Sequence, residues 1–106
     1  MSKPNPIPIR LKEARKRASM TQKELGIRIG MDQSSASSRM NHYEKDRHTP
    51  DIQTLQRMAD ELKVPLNYLF CDSEESAELA CLIDELTLEE KKELISSLAK
   101  FIKSSI

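Results

Sequence analysis

Between residues 33 and 42 the chain carries Gln33, Ser34, Ser35, Ser37, Ser38, Arg39, Asn41 and His42, and Lys45, Arg47 and His48 follow directly. Their shared chemistry is hydrogen bonding and positive charge rather than bond-making, because no nucleophile motif accompanies the serines. His42 and His48 stand without carboxylates or cysteines at ligand spacing, so no metal site is expected. Cys71 and Cys81 lack metal-type spacing too, and read as free thiols of a reducing compartment rather than as a redox switch. Two glycines in 106 residues leave no room for a Gly-rich phosphate loop. No enzyme activity and no cofactor are therefore expected.

The length allows one domain with a small appendage. Formal net charge is zero, which by itself argues against a nucleic-acid partner. Position along the chain reverses that inference. Residues 1–50 hold eleven Lys/Arg against five Asp/Glu, a charge of +6, and residues 51–106 hold six against twelve, a charge of −6. The polar run above lies in the basic half. No apolar run approaches the ~18 residues of a membrane span, and no secretory signal is visible, so a cytoplasmic, nucleoid-associated location is expected.

The elements that must position these residues read as short helices. Pro4, Pro6 and Pro8 predict an extended arm over residues 1–8. Leu11, Ala14 and Ala18 predict a first helix from about Ile9 to Ala18. Thr21 with Glu24 is a capping box that starts a second helix at Gln22, and Gly30 ends it. Ala36, Met40 and Tyr43 give a third helix, from about Ser34 to Glu44, one apolar stripe and one polar face. Asp51 caps a fourth helix from Ile52 to Leu62, and a short helix spans Leu66 to Phe70. Beyond Cys71–Ser76, residues 74–86 form an acidic helical segment, and Thr87 with Glu90 opens a last helix to about Lys103.

A capped helix, a small residue at Gly26, a glycine turn and a polar-faced helix together describe a helix-turn-helix. The two helices cross closely at Gly26, where a large side chain would hold them apart. The chain resembles the Cro/phage-repressor helix-turn-helix family, the XRE-type regulators. The resembling residues are Arg10-Leu11-Lys12, Met20 to Leu25, Ile29-Gly30, Tyr43-Glu44, Pro50, Ile52, Leu55, Met58-Ala59, Leu62, Val64, Leu66 and Leu69. They cover residues 9–70, and residues 35–44 resemble a subgroup of small bacterial and prophage regulators. The resemblance implies an all-α fold, a five-helix lambda-repressor-like bundle over residues 9–71, followed by a helical dimerisation tail over 72–106. Gly30 to Glu44 spans fourteen residues, roughly one helical turn longer than the family's usual spacing. Either the third helix or the turn before it is longer. Ser19 and Lys63 stand where the family often has a helix-ending glycine.

The implied activity is sequence-specific binding to duplex DNA as a homodimer on a palindromic operator, by a repressor of prophage or mobile-element type. The alternative is an antitoxin-type or accessory regulator whose tail also binds a second protein. By the resemblance, Gln22 bonds a backbone phosphate; the other possibility is an exposed residue with no partner. The third helix enters the major groove. There Gln33 and Asn41 can bond adenine through two bonds, and Ser34, Ser35, Ser37 and Ser38 are permissive, although Ser34 can equally cap the helix. Arg39 can pair with Glu44, or reach a phosphate or a guanine. His42 flanks this face, and Lys45, Arg47 and His48 are candidates for flanking phosphates. Arg10, Arg15 and Lys16 are further phosphate candidates or simply solvated. Aromatic residues are too sparse for single-strand stacking, which favours duplex DNA over RNA. The chain has no room for the self-cleaving domain of larger phage repressors. In the tail, Leu88, Ile95 and Ile102 at sevenfold spacing, with Leu94, Leu98 and Phe101 beside them, form a dimerisation seam or fold back on the chain's own bundle.

Overall fold

The structure, a computed structural model, describes residues 4–105, so the start of the expected arm lies outside the described residues. Among these residues there are helices and no strands: α1 (Ile7–Arg17), α2 (Gln22–Arg28), α3 (Ala36–Glu44), α4 (Ile52–Leu62), a 3₁₀ helix (Leu66–Phe70), α5 (Glu74–Asp84) and α6 (Leu88–Ser104). The arm is shorter than the prolines suggested. Helix α1 already begins at Ile7, with Pro6 at its N-cap and Pro8 in its first turn. The first turn has no intrahelical acceptor for its N–H groups, so a missing proline N–H costs nothing there. The Ile7 N–H instead donates to Asn5 Oδ1 at 3.1 Å.

Local chemistry sets most other boundaries. The Thr21 hydroxyl accepts from the Glu24 N–H at 3.0 Å, but the return bond expected from the Glu24 carboxylate is not among the capping contacts of α2. Asp51 caps α4 through the Thr54 N–H at 2.8 Å. Thr87 and Glu90 form the full reciprocal box at α6. Helices α1 to α4 all end in the same left-handed motif, in which two successive N–H groups fold back onto the last turn. In α2 these are Gly30 to the Ile27 carbonyl and Met31 to the Gly26 carbonyl, and Gly30 has φ +98°.

The equivalent positions in α1, α3 and α4 are Ser19, Asp46 and Lys63, with φ of 57°, 58° and 57°. Thus neither Ser19 nor Lys63 avoids the left-handed region, and each bears a Cβ where only glycine is free of strain. Lys63→Gly is expected to stabilise the protein by about 1 kcal/mol, the strain relieved exceeding glycine's added backbone entropy. Thermal unfolding monitored by circular dichroism checks this, and an unchanged or lower midpoint contradicts it.

The core is built from one face of each helix. Leu11, Leu25, Ala36, Met40, Met58, Ala59, Tyr68 and Leu69 are completely buried. Helix α5 joins this bundle through Ala77 and Ala80 and is tied to α1 by polar contacts. Arg10 donates to Glu74 at 2.9 Å and to Glu13 at 3.2 Å, and the buried Tyr68 hydroxyl also donates to Glu13. Burial and the neighbouring Glu13 carboxylate push the Tyr68 hydroxyl well above its ordinary pKa. Helix α6 differs from every other element, since none of its residues is buried. The radius of gyration is accordingly 16.2 Å, against about 13 Å for a compact chain of this length.

Candidate nucleic-acid interface

Seven residues, 29–35, separate α2 from α3, and they contain the extra turn. The Asp32 carbonyl accepts from the N–H groups of Ser35 at 3.1 Å and Ala36 at 2.9 Å, adding a single helical turn ahead of α3. The connection is longer, and α3 keeps nine residues. Ser34 does not cap the helix: its hydroxyl donates to Asp32 Oδ2 at 2.7 Å, and Ser35 occupies the N-cap position without a side-chain cap bond.

Helix α3 turns Ala36, Met40 and Glu44 inward. At 3.6 residues per turn the opposite side is occupied by Ser38 and His42, with Ser37 and Asn41 on the flank toward α2 and Arg39 on the other. Ser37, Ser38 and Arg39 are exposed, and Asn41 and His42 are half-buried. Gln33 and Ser34 are exposed in the turn ahead of the helix, and Lys45 and Arg47 in the loop behind it. The His42 and His48 rings lie 5.3 Å apart, which folds that loop back onto α3.

A buried polar centre fixes α3 against α1 and α2. Glu44 accepts from Arg15 Nε at 2.6 Å and Nη2 at 3.0 Å, while Arg15 Nη1 donates to the Met20 carbonyl at 2.8 Å. Gln22 Nε2 donates to Glu44 Oε1 at 3.1 Å and to Asn41 Oδ1 at 3.2 Å. Both protons of the Gln22 amide are thereby engaged inside the protein, so it is neither partnerless nor free to donate to a phosphate as it stands. Gln22 thereby holds the Asn41 side chain by its carbonyl.

Two readings of the sequence are corrected by this centre. Arg39 does not pair with Glu44, whose two oxygens are taken by Arg15 and Gln22. Arg10 and Arg15 are not phosphate contacts: they are only 5% and 8% exposed, and both are bound to carboxylates. The pairing of Arg15 with Glu44 was not foreseen, although Arg15 lies four residues after Leu11 on the inward face of α1, which was a legible hint. Among the described residues no group of three or more His, Cys, Asp or Glu is placed to hold a metal ion. Cys71 and Cys81 are free thiols, half-buried against the core, and burial pushes the Cys81 thiol up. No described helix is long and apolar enough to cross a membrane.

The arrangement is a paired helix unit with a polar outer helix, rigidly backed by an ion pair and followed by a basic loop. It can dock against a grooved polyanion and hydrogen-bond to what lies in the groove. Comparison with known proteins agrees. A family model described as a helix-turn-helix domain matches residues 9–72. No curated protein matches the chain. Among solved structures, the crystal structure of the transcriptional regulator BswR is similar, with 45% sequence identity and a TM-score of 0.82 over 92% of this chain and 97% of that one. The match extends beyond the helix-turn-helix into the tail. The chain belongs to the XRE-type helix-turn-helix family of DNA-binding transcriptional regulators, a family of DNA binders and not of enzymes.

Proposed function

We propose that the chain is a repressor of prophage or mobile-element type that works in the bacterial cytoplasm as a homodimer on a palindromic operator, with α3 reading bases in the major groove. The observation that carries this reading is the outward arc of α3. It holds Ser37, Ser38, Arg39, Asn41 and His42 and no large apolar side chain, while every apolar residue of the helix faces the core. Gln33, Ser34 and Ser35 extend the same polar surface at the end of α3 that enters a groove first. Lys45 and Arg47, exposed in the loop behind α3, contact flanking phosphates in this reading, and Gln22 contributes by holding Asn41.

The homodimer reading rests on α6. Leu88, Ile95 and Phe101 are 68%, 67% and 67% exposed, and with the exposed Leu98 and Ile102 and the half-buried Leu94 they form an apolar row that their own bundle leaves largely open. Surfaces of this kind mark interfaces. The same uncovered row supports a second reading, in which a different protein occupies it and the chain is an antitoxin-type or accessory regulator.

Selection of bound sequences from random duplex DNA at two salt concentrations tests the proposal. The expected result is an enriched twofold motif with half-sites one turn, about 34 Å, apart. Steeply salt-dependent binding with no enriched motif would overturn it. Arg39→Ala is expected to weaken operator binding by about tenfold or more. A loss confined to one base position assigns Arg39 to a guanine. A uniform loss with a shallower salt dependence assigns it to a phosphate. Unchanged affinity removes Arg39 from the interface.

A further inference from the structure

Helix α5 has a second apolar face. Ala77 and Ala80 point into the bundle, yet Leu79 and Leu82, on the far side, are 57% and 53% exposed, and Ile83 continues the row. Glu75, Leu79, Leu82 and Ile83 follow the i, i+4, i+7, i+8 spacing of a single helical stripe, with Glu78 at its edge. A helix docked on one side only would be polar on the other. This helix is built to be covered twice.

The apolar arc of α6 is also wider than a two-helix seam requires. From Phe101 and Leu94 on one edge to Ala99 on the other it covers about 160° of the helix at 3.6 residues per turn. A simple coiled-coil pair uses only a narrow a/d stripe. Lys91 lies in the middle of this arc and Lys103 on its Ala99 edge, and neither has a carboxylate partner among the described residues. The two helices differ in charge, −4 on α5 against +1 on α6. α5 carries Glu74, Glu75, Glu78 and Asp84 with no basic residue, whereas α6 after Glu93 carries Lys100 and Lys103 with no acidic one.

We infer that α6 of one copy lies across the outer face of α5 of a second copy, and reciprocally, so that the four helices of two tails form one bundle. Leu79, Leu82 and Ile83 are then covered by the partner's α6 stripe, and Glu75 and Glu78 face the partner's Lys91 and Lys103. The inference rests on the homodimer reading and specifies its interface. Because α5 is anchored to α1 by Arg10 and Glu74, the exchange also fixes the two α3 helices relative to each other. A seam made of α6 alone leaves the α5 face bare and has no such lever on the DNA-binding surface.

A charge-exchange experiment on the full chain tests it. Glu75→Lys/Glu78→Lys sets lysines against the partner's Lys91 and Lys103, and Lys91→Glu/Lys103→Glu sets glutamates against the partner's Glu75 and Glu78. Each variant alone is expected to dimerise about tenfold or more weakly in sedimentation equilibrium, from like charges facing across the interface. An equimolar mixture is expected to restore a dimer, seen by native mass spectrometry as a heterodimer, because both reciprocal contacts then pair opposite charges. The mixture guards against a trivial loss of folding, since two misfolded chains would not rescue each other. If Glu75→Lys/Glu78→Lys leaves the dimer intact, or if the mixture shows no rescue, this interface is wrong and the homodimer itself can stand. If the natural chain is monomeric at every concentration, both the interface and the homodimer reading fall.

Discussion

Gly26→Ile is expected to destabilise the protein by more than about 4 kcal/mol, a large part of the 5–15 kcal/mol that holds a domain of this size folded. A Cβ built on Gly26 would lie 2.8 Å from the Ala36 Cβ, 3.1 Å from the Ala36 carbonyl oxygen and 3.1 Å from the Met31 sulfur. Ala36 opens α3 and is completely buried, and its Cβ and carbonyl cannot move without moving that helix. Overpacking at a rigid contact of this kind costs about 1–3 kcal/mol for a single methyl group, and the branched side chain adds to it. Gly26→Ala therefore gives the sharper test, because it decides between two opposite effects. Intrinsic helix propensity favours alanine over glycine by about 1 kcal/mol in a helix interior. If propensity wins, the variant is more stable; if the close approach of α2 and α3 wins, it is less stable. The 2.8 Å contact predicts the second outcome, and urea midpoints at an unchanged m-value measure it. Gly30 is the contrasting case. A Cβ there meets nothing within 4 Å, so the cost of Gly30→Ala comes only from its φ of +98°.

The second large effect is at Glu44. Glu44→Ala is expected to cost about 3–5 kcal/mol, since it leaves the buried Arg15 guanidinium without its carboxylate and Gln22 without one acceptor. Arg15→Met/Glu44→Leu is expected to recover most of this loss, because a pair of apolar side chains of similar volume replaces a buried ion pair at little or no cost. The double-mutant cycle should then show a coupling energy of several kcal/mol, and simple additivity of the two single changes would refute it. The recovered protein separates stability from recognition. Without the Glu44 carboxylate, Gln22 is held only through Asn41, and the Asn41 side chain loses the support that fixes it. Operator affinity should remain reduced although the fold is restored. Full recovery of both would mean that this centre serves packing alone.

These two sites differ in how far they could be read from the amino-acid order. Gly26 sits between Leu25 and Ile29 in a capped helix that ends at a glycine, and that pattern already demanded a close crossing. The caps at Thr21, Asp51 and Thr87 were legible for the same reason. A hydroxyl or carboxylate and the N–H three residues later meet whenever the backbone turns into a helix, whatever the rest of the chain does. The ion-pair centre was not legible. Arg10, Lys12, Arg15, Lys16 and Arg17 look alike as a basic cluster, and Arg15 finds its partner 29 residues away while Arg10 finds Glu74 at a distance of 64. The extra turn between Gly30 and Glu44 was equally open, because the same serines fit a longer helix or a longer connection until the Asp32 carbonyl is seen to close the turn.

From its residues alone the protein was set as an all-α chain with its helices in this order, a helix-turn-helix over Gln22–Glu44, and a basic half joined to an acidic one. These are consequences of periodicity, capping and charge, all of which act within a few residues. Tertiary structure decided which charges remain available. It placed Arg10 and Arg15 in the core, left Ser37, Ser38 and Arg39 outside, and left α6 without a single buried residue. Burial depends on which distant segment arrives at a given face, and desolvating a charge is tolerated only where an opposite charge arrives with it.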